Sequence, residues 1–348
     1  MRHLLIIMSK KSFFNALRHA VLSRSGAVLM LMPATVTMAY AQNDSAADYY
    51  ADADGYCGQE LKTALAAIIR PHTELKYNDL WEAFMSTDKR PDGKVWDMYS
   101  CITSYVFVTS GGTYRVEGDC YNREHSLPKS WFDDKEPMYT DLMHIVPTDG
   151  YVNGQRSNYP FGETEGERYM SEEGFSKLGE SVTGGYTGTV FEPNDEYKGD
   201  FARIYFYMVT CYEDNVSTWR SGMLSGNTYP ALSDWALDML MRWADDDPVS
   251  QKEIDRNNAV CELQHNRNPY VDYPGLEQYI WGDKQDTPFR HDGSTAIAVV
   301  TVPTKDVSKV DVYTVAGVRV RSGVSAGNAT DDLRSGIYIV NGKKYVVR

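Results

Sequence analysis

The sequence predicts an α+β body followed by a small C-terminal all-β sandwich. Two observations carry this. Between residues 60 and 280, segments with apolar side chains at helical spacing surround one Tyr-, Val- and Thr-rich stretch. Near residues 288–294 the composition shifts, and the chain beyond breaks into short β-branched and aromatic runs separated by Gly, Asn and Asp.

The elements follow in chain order. Residues 1–41 carry five Lys or Arg and no Asp or Glu, contain the apolar run AVLMLMPATVTMA, and end in Ala39-Tyr40-Ala41. A basic lead, an apolar run and a small-x-small triplet read as a secretory signal peptide cleaved after Ala41. The run is too short to cross a bilayer, which takes ~20 residues, and no later run is long enough either. Residues 42–56 are polar and small, the composition of a linker. A body over 57–287 then begins with a helix at 61–69 and a shorter one at 77–84. Residues 95–109, the turn Ser110-Gly111-Gly112-Thr113 and YRVEGDCYNREH give a strand–turn–strand signal. Asp149-Gly150 closes the next loop, and a helix starts at 151–156. Residues 201–212 are strongly helical and hold Phe201, Tyr205, Phe206 and Tyr207. Two more helices, at 231–244 and 249–263, are split by DDDP, with Pro248 expected in a first helical turn. In the tail, 295–348, AIAVVTV, VDVYTV, VRVRSG, GIYIVNG and KKYVV read as strands, with a turn at Asn341-Gly342.

The full chain carries a formal net charge of −13. Removing the basic leader makes it more acidic still, while the tail is basic, with eight Lys or Arg against four Asp or Glu. Phosphate binding usually leaves a basic footprint, so a nucleic-acid partner would need a locally positive site on an acidic body. Five cysteines, an odd number, leave at least one unpaired in an exported protein. Cys101 and Cys120 flank the expected hairpin and form the most plausible disulfide; Cys211 and Cys261 lie in or beside apolar helices, where a free thiol fits as well. No CxxC or zinc-spaced Cys/His set is present, and neither HExxH nor GxSxG occurs.

The chemistry concentrates in NREHSLPKSW at 122–131 and in DLMHIVPTDGYVNGQRSNYPFG, where Asn153 lies 28 residues after His125. A neutral imidazole can accept a proton from water near neutral pH. Mg²⁺ prefers oxygen donors and often takes only one or two protein groups. His125 is therefore the candidate general base, and Glu124 with Asn153 the candidate ligands for Mg²⁺ or Mn²⁺. Neighbours on a regular strand face opposite ways, so Glu124 and His125 share a site only where the strand ends or bends.

These two segments, GDFARIYFYMVT and DDDPVSQKEIDRNNAVCELQHNRNPYVDYP, resemble the endonuclease I family of secreted, sequence-nonspecific nucleases, in family order and within residues 60–282. The resemblance implies a ββα-metal (His-metal finger) core with several surrounding helices. It implies that His125 polarises the attacking water, and that DNA, and RNA beside it, is cut to leave 5′-phosphate ends. It also places His144 and Asp141 as structural supports of the site. Arg156, Asn158 and Arg267 fall on the substrate side, with an ion pair equally open for Arg156. Arg203 would bind the cleaved phosphate or pair, buried, with Asp141. The sequence departs from the family at Tyr139, where some relatives carry a carboxylate, and in its short 132–138 segment. In VYTVAGVRV and LRSGIYIVNGKKYVV the tail resembles sorting domains of proteins exported by the type IX pathway, which implies an export-machinery partner. The reading is thus a secreted or cell-surface monomeric nuclease. Its rivals are a catalytically inactive nucleic-acid-binding adhesin on the same fold and a secreted hydrolase of another class.

Overall fold

The computed structural model describes residues 49–291 and, in the tail, 309–314, 319–325, 329, 333, 336–340 and 343–347. The signal peptide and AIAVVTV at 296–302 lie outside the described residues.

Helix α1 (Gly58–Ile69) buries Leu61, Leu65, Ala66 and Ile69, one stripe at helical spacing. Helix α2 (Leu80–Thr87) follows. The expected hairpin within 95–125 does not form. Residues 96–120 run as an irregular, partly exposed segment, and only Tyr121–His125 becomes a strand, β1. Its partner is β2 (Ile145–Asp149), antiparallel, with Glu124 opposite Val146 and His125 opposite Ile145. The reason is packing: Tyr121, Glu124, His125 and all five residues of β2 are buried, whereas Val106, Val108 and Val116 stay exposed. Cys101 and Cys120 do not bridge; all five cysteines are free thiols.

Helix α3 (Gly150–Arg156) starts directly after β2, with the Asp149 carboxylate accepting from the Val152 amide at 2.8 Å. Strands β3 (Tyr169–Met170), β4 (Lys177–Glu180) and β5 (Thr189–Glu192) make a small antiparallel sheet. Helix α4 (Lys198–Cys211) is buried at every position from Gly199 onward. A helix buried on every face belongs in the middle of a core, and α4 packs against both α1 and α6 (Asp234–Asp246), beyond the short α5 (Glu213–Val216). Phe201, Tyr205, Phe206 and Tyr207 are fully buried, each contributing about 1.5–3 kcal/mol of transfer free energy. Helix α7 (Gln251–Gln264) starts after Pro248 rather than with it. Its N-cap is Ser250, whose hydroxyl accepts from the Glu253 amide while the Glu253 carboxylate accepts from the Ser250 amide. Short helices α8 (Pro269–Asp272) and α9 (Leu276–Ile280) complete the body.

The body is longer than the sequence suggested at both ends. Tyr50 and Ala53, inside the expected linker, are fully buried, and Tyr50 donates to Asp272 at 2.7 Å. Phe289 is buried as well, and the incoming and outgoing chains are joined by Gly55 N–H to Phe289 O, Phe289 N–H to Tyr56 O, and Arg290 and His291 to Asp54. In the tail, β6 (Lys309–Thr314), β7 (Arg319–Ser325), β8 (Gly336–Val340) and β9 (Lys343–Val347) form one antiparallel sheet in the order β7-β6-β8-β9. Among the described residues no helix is long and apolar enough to cross a membrane.

Candidate active site

The site is built on one local unit, β1, β2 and α3. Strand β1 ends at His125, so Glu124 and His125 both reach one cleft of about 380 Å³. Asn153 and Arg156, one turn apart on α3, close its floor, and Asn158 and Ser130 stand at its rim. The Asn158 amide donates to Ser130 Oγ at 3.3 Å.

Glu124 is 4 % exposed. Its Oε1 accepts from Tyr99 Oη at 2.9 Å and from Arg156 Nη1. Burial pushes this carboxyl above its usual value; Arg156, Tyr99 and Asn153 oppose that shift. Arg156, fully buried, also donates to the carbonyls of His125 (2.9 Å) and Ser126 (2.5 Å). Of the two roles open for it, the structure shows the ion pair, and these bonds brace the β1 terminus. Tyr205 of α4 donates to the same Ser126 carbonyl at 2.9 Å, tying the site to the core.

The His125 ring lies against Tyr139 and Tyr77, with centroids 5.2 and 5.9 Å away and rings within about 21° of parallel. Its Nε2 donates to the Tyr139 carbonyl at 3.0 Å. A carbonyl only accepts, so Nε2 carries the hydrogen and Nδ1 is left as the basic nitrogen. Burial, then the neighbouring His144, with smaller contributions from Lys129 and Arg123, pushes the imidazole down to about 3, so it is neutral at physiological pH. The Tyr139 that stands in place of a carboxylate thus acts through its backbone oxygen and ring face.

His144 and Asp141 sit behind the cleft. His144 is fully buried, its Nε2 donating to the Met138 carbonyl at 2.7 Å and its own carbonyl accepting from Ser126. Asp141 is a hub: it accepts from Tyr207, Tyr212, Gln264 and the Met143 amide. Arg256 of α7 donates to the carbonyls of Leu142, Met143 and Ile145, fixing the start of β2.

Two expected substrate residues are elsewhere. Arg203 neither lines the cleft nor pairs with Asp141. Its guanidinium makes a two-pronged, buried ion pair with Glu253, at 2.5 and 2.8 Å. Arg267 makes the same kind of fork on Asp272, at 2.7 and 2.6 Å. Both charges are committed to stitching helices together. The sequence reading missed Asn122, whose Oδ1 accepts from Asn153 Nδ2 at 2.7 Å, and Tyr77, Arg123 and Lys129, which line the cleft. Asn122 and Arg123 belong to the same NREH run and were open to notice; Tyr99 carried no local signal.

The donor set fits a hard cation. Glu124 and Asn153 bring a carboxylate and an amide side by side, and a half-turn of the amide exchanges its nitrogen for its oxygen. Among the described residues no group of three or more His, Cys, Asp or Glu is disposed to hold a metal.

Comparison with known proteins places this cleft in context. Residues 57–275 match the Endonuclease I family. The extracellular ribonuclease of Bacillus amyloliquefaciens is 35% identical over 259 residues, covering 72% of this chain and 84% of its own length. The extracellular ribonuclease of Bacillus subtilis is 34% identical over 266 residues, covering 74% and 86%. The Endonuclease-1 of Buchnera aphidicola subsp. Baizongia pistaciae is 27% identical over 136 residues, covering 39% and 47%.

Proposed function

The chain belongs to the endonuclease I family, and on that premise we propose that it is an exported nuclease that hydrolyses phosphodiester bonds in RNA and DNA. The observation that carries the reading is the convergence of Glu124, His125 and Asn153 on one cleft. The Bacillus relatives are named for ribonuclease activity, which supports reading RNA beside DNA as substrate. The β1–β2–α3 unit is read as a ββα-metal core.

His125 Nδ1 takes a proton from the attacking water, while Nε2–H stays anchored on the Tyr139 carbonyl and fixes the ring plane. Glu124 and Asn153 would hold one Mg²⁺ or Mn²⁺. Such an ion would supply charge neutralisation at the phosphoryl group and at the leaving 3′ oxygen, the polarity of cleavage that would leave a 5′-phosphate. Arg156 and Tyr99 keep the Glu124 side chain in one orientation. The test is incubation of the mature protein with plasmid DNA and with a structured RNA, in Mg²⁺ and in excess EDTA. Cleavage in Mg²⁺ that EDTA abolishes is expected. Full activity in EDTA would remove the one-metal mechanism, and binding without cleavage in either condition would favour an inactive adhesin.

We further propose that residues 295–348 act as a type IX sorting domain, with a signal peptide over 1–41. The tail resemblance and the four-stranded antiparallel sheet support this. Deleting 295–348 is expected to trap an active nuclease inside the cell envelope. Normal release of the truncated protein would sink the sorting role.

A further inference from the structure

Two arginines line the cleft. One, Arg156, is committed to an ion pair with Glu124. The other is Arg123. It lines the cleft next to Glu124 and His125 and is half-buried. Among the described residues, its one side-chain hydrogen bond, from Nη1, goes to the Tyr77 carbonyl at 2.5 Å, an acceptor without charge. The guanidinium carbon lies 3.5 Å from the Tyr77 ring centroid and 4.6 Å from that of Trp81. Among the described residues no carboxylate forms an ion pair with it.

The guanidinium is therefore held in place by two aromatic faces and one carbonyl, and among the described residues Nε and Nη2 have no acceptor. Aromatic faces stabilise a cation without neutralising it, whereas a carboxylate would cancel the field a phosphate needs. Guanidinium donors in this fork suit a phosphate oxygen pair. The neighbouring cation, Lys129, also lies over an aromatic ring, that of Tyr139 at 5.3 Å, but it is shared with Asp134.

We propose that Arg123 is a substrate-binding residue that grips a backbone phosphate next to the one being cut. This rests on the nuclease reading above and deepens it. The site is read as phosphate-specific rather than base-specific, because the donors offered are a charged fork and not an amide edge.

The test is steady-state cleavage of a fluorophore–quencher oligonucleotide by wild type, Arg123→Gln and Arg123→Lys at saturating Mg²⁺, from about 50 to 300 mM KCl, with melting temperatures measured alongside. For Arg123→Gln, KM should rise about tenfold, the loss of one charge-assisted hydrogen bond, while kcat stays within about twofold. The slope of log(kcat/KM) against log[salt] should become shallower by about one, as one phosphate contact is removed. Arg123→Lys keeps the charge and should recover the wild-type slope. A packing role alone would lower the melting temperature and leave the slope unchanged, and an unchanged slope and KM overturns the proposal. If wild type fails to cleave any nucleic acid, the nuclease reading itself falls; if wild type cleaves and only the Arg123→Gln slope fails to move, Arg123 alone is wrong. Should Arg123→Gln not fold, Arg123→Lys against Lys129→Gln decides the matter: an Arg123 phosphate contact requires Arg123→Lys to raise KM by losing the fork while holding the slope.

Discussion

Replacing His125 by Ala is expected to lower kcat about 10²–10⁴-fold at neutral pH, the usual contribution of a general base. Nucleic-acid affinity should change little, because His125 offers no charge at that pH. The pH profile sharpens the test. An unperturbed imidazole would lose activity as pH falls through ~6.5. Here burial, then His144 and the nearby cations, hold the folded group down to about 3, so the neutral, competent form persists well below 6.5. The His125-dependent limb of the wild-type profile should therefore be flat through neutrality and fall only in strong acid. Equal rates for wild type and His125→Ala, at matched folding and metal occupancy, would show that another group activates the water. A limb centred near 6.5 would show that the ring is solvated in the working enzyme.

The second large effect concerns Arg203. Arg203→Ala leaves Glu253 and its neighbour Asp200 buried with less compensating charge, and breaking such a pair from one side costs about 3–5 kcal/mol. For a body of this size that lowers Tm by roughly 10 °C. Glu253 is also the acidic half of the α7 capping box, so the double variant should be Arg203→Met with Glu253→Gln, which keeps an oxygen for the Ser250 amide. Removing both charges together should recover much of the lost stability, and the double variant should cleave at close to the wild-type rate per folded molecule. A stable double variant with normal binding and no turnover would return Arg203 to the chemistry.

The contrast between these residues shows what the sequence made legible. Glu124, His125 and Asn153 lie within one short stretch, and a strand end followed by a capped helix is enough to bring them together. The fate of Arg203 was not legible in the same way. Its partner lies on a helix 50 residues on, and a sequence shows charges without showing which two meet. The helices announced themselves through apolar spacing, as in Leu61, Leu65 and Ile69. The 96–120 stretch misled because Tyr, Val and Thr favour strands only when a partner strand covers them. Strand β1 took its partner from beyond the loop instead, with Ile145 and Val146 already wholly buried. Tyr99 and Tyr205, which fix the two ends of the Glu124–Ser126 run, come from remote segments and had no local mark.

The seam between residues 54–56 and 289–291 has a mechanical consequence. The chain enters and leaves the body at the same place, so the body is close to a closed ring with a short gap. Among the described residues the bonds of the seam join Asp54, Gly55, Tyr56, Phe289, Arg290 and His291, all within 49–291. Adjacent ends of this kind also suit circular permutation: new termini could be opened in the exposed 101–118 segment while the old ones are joined by a short linker.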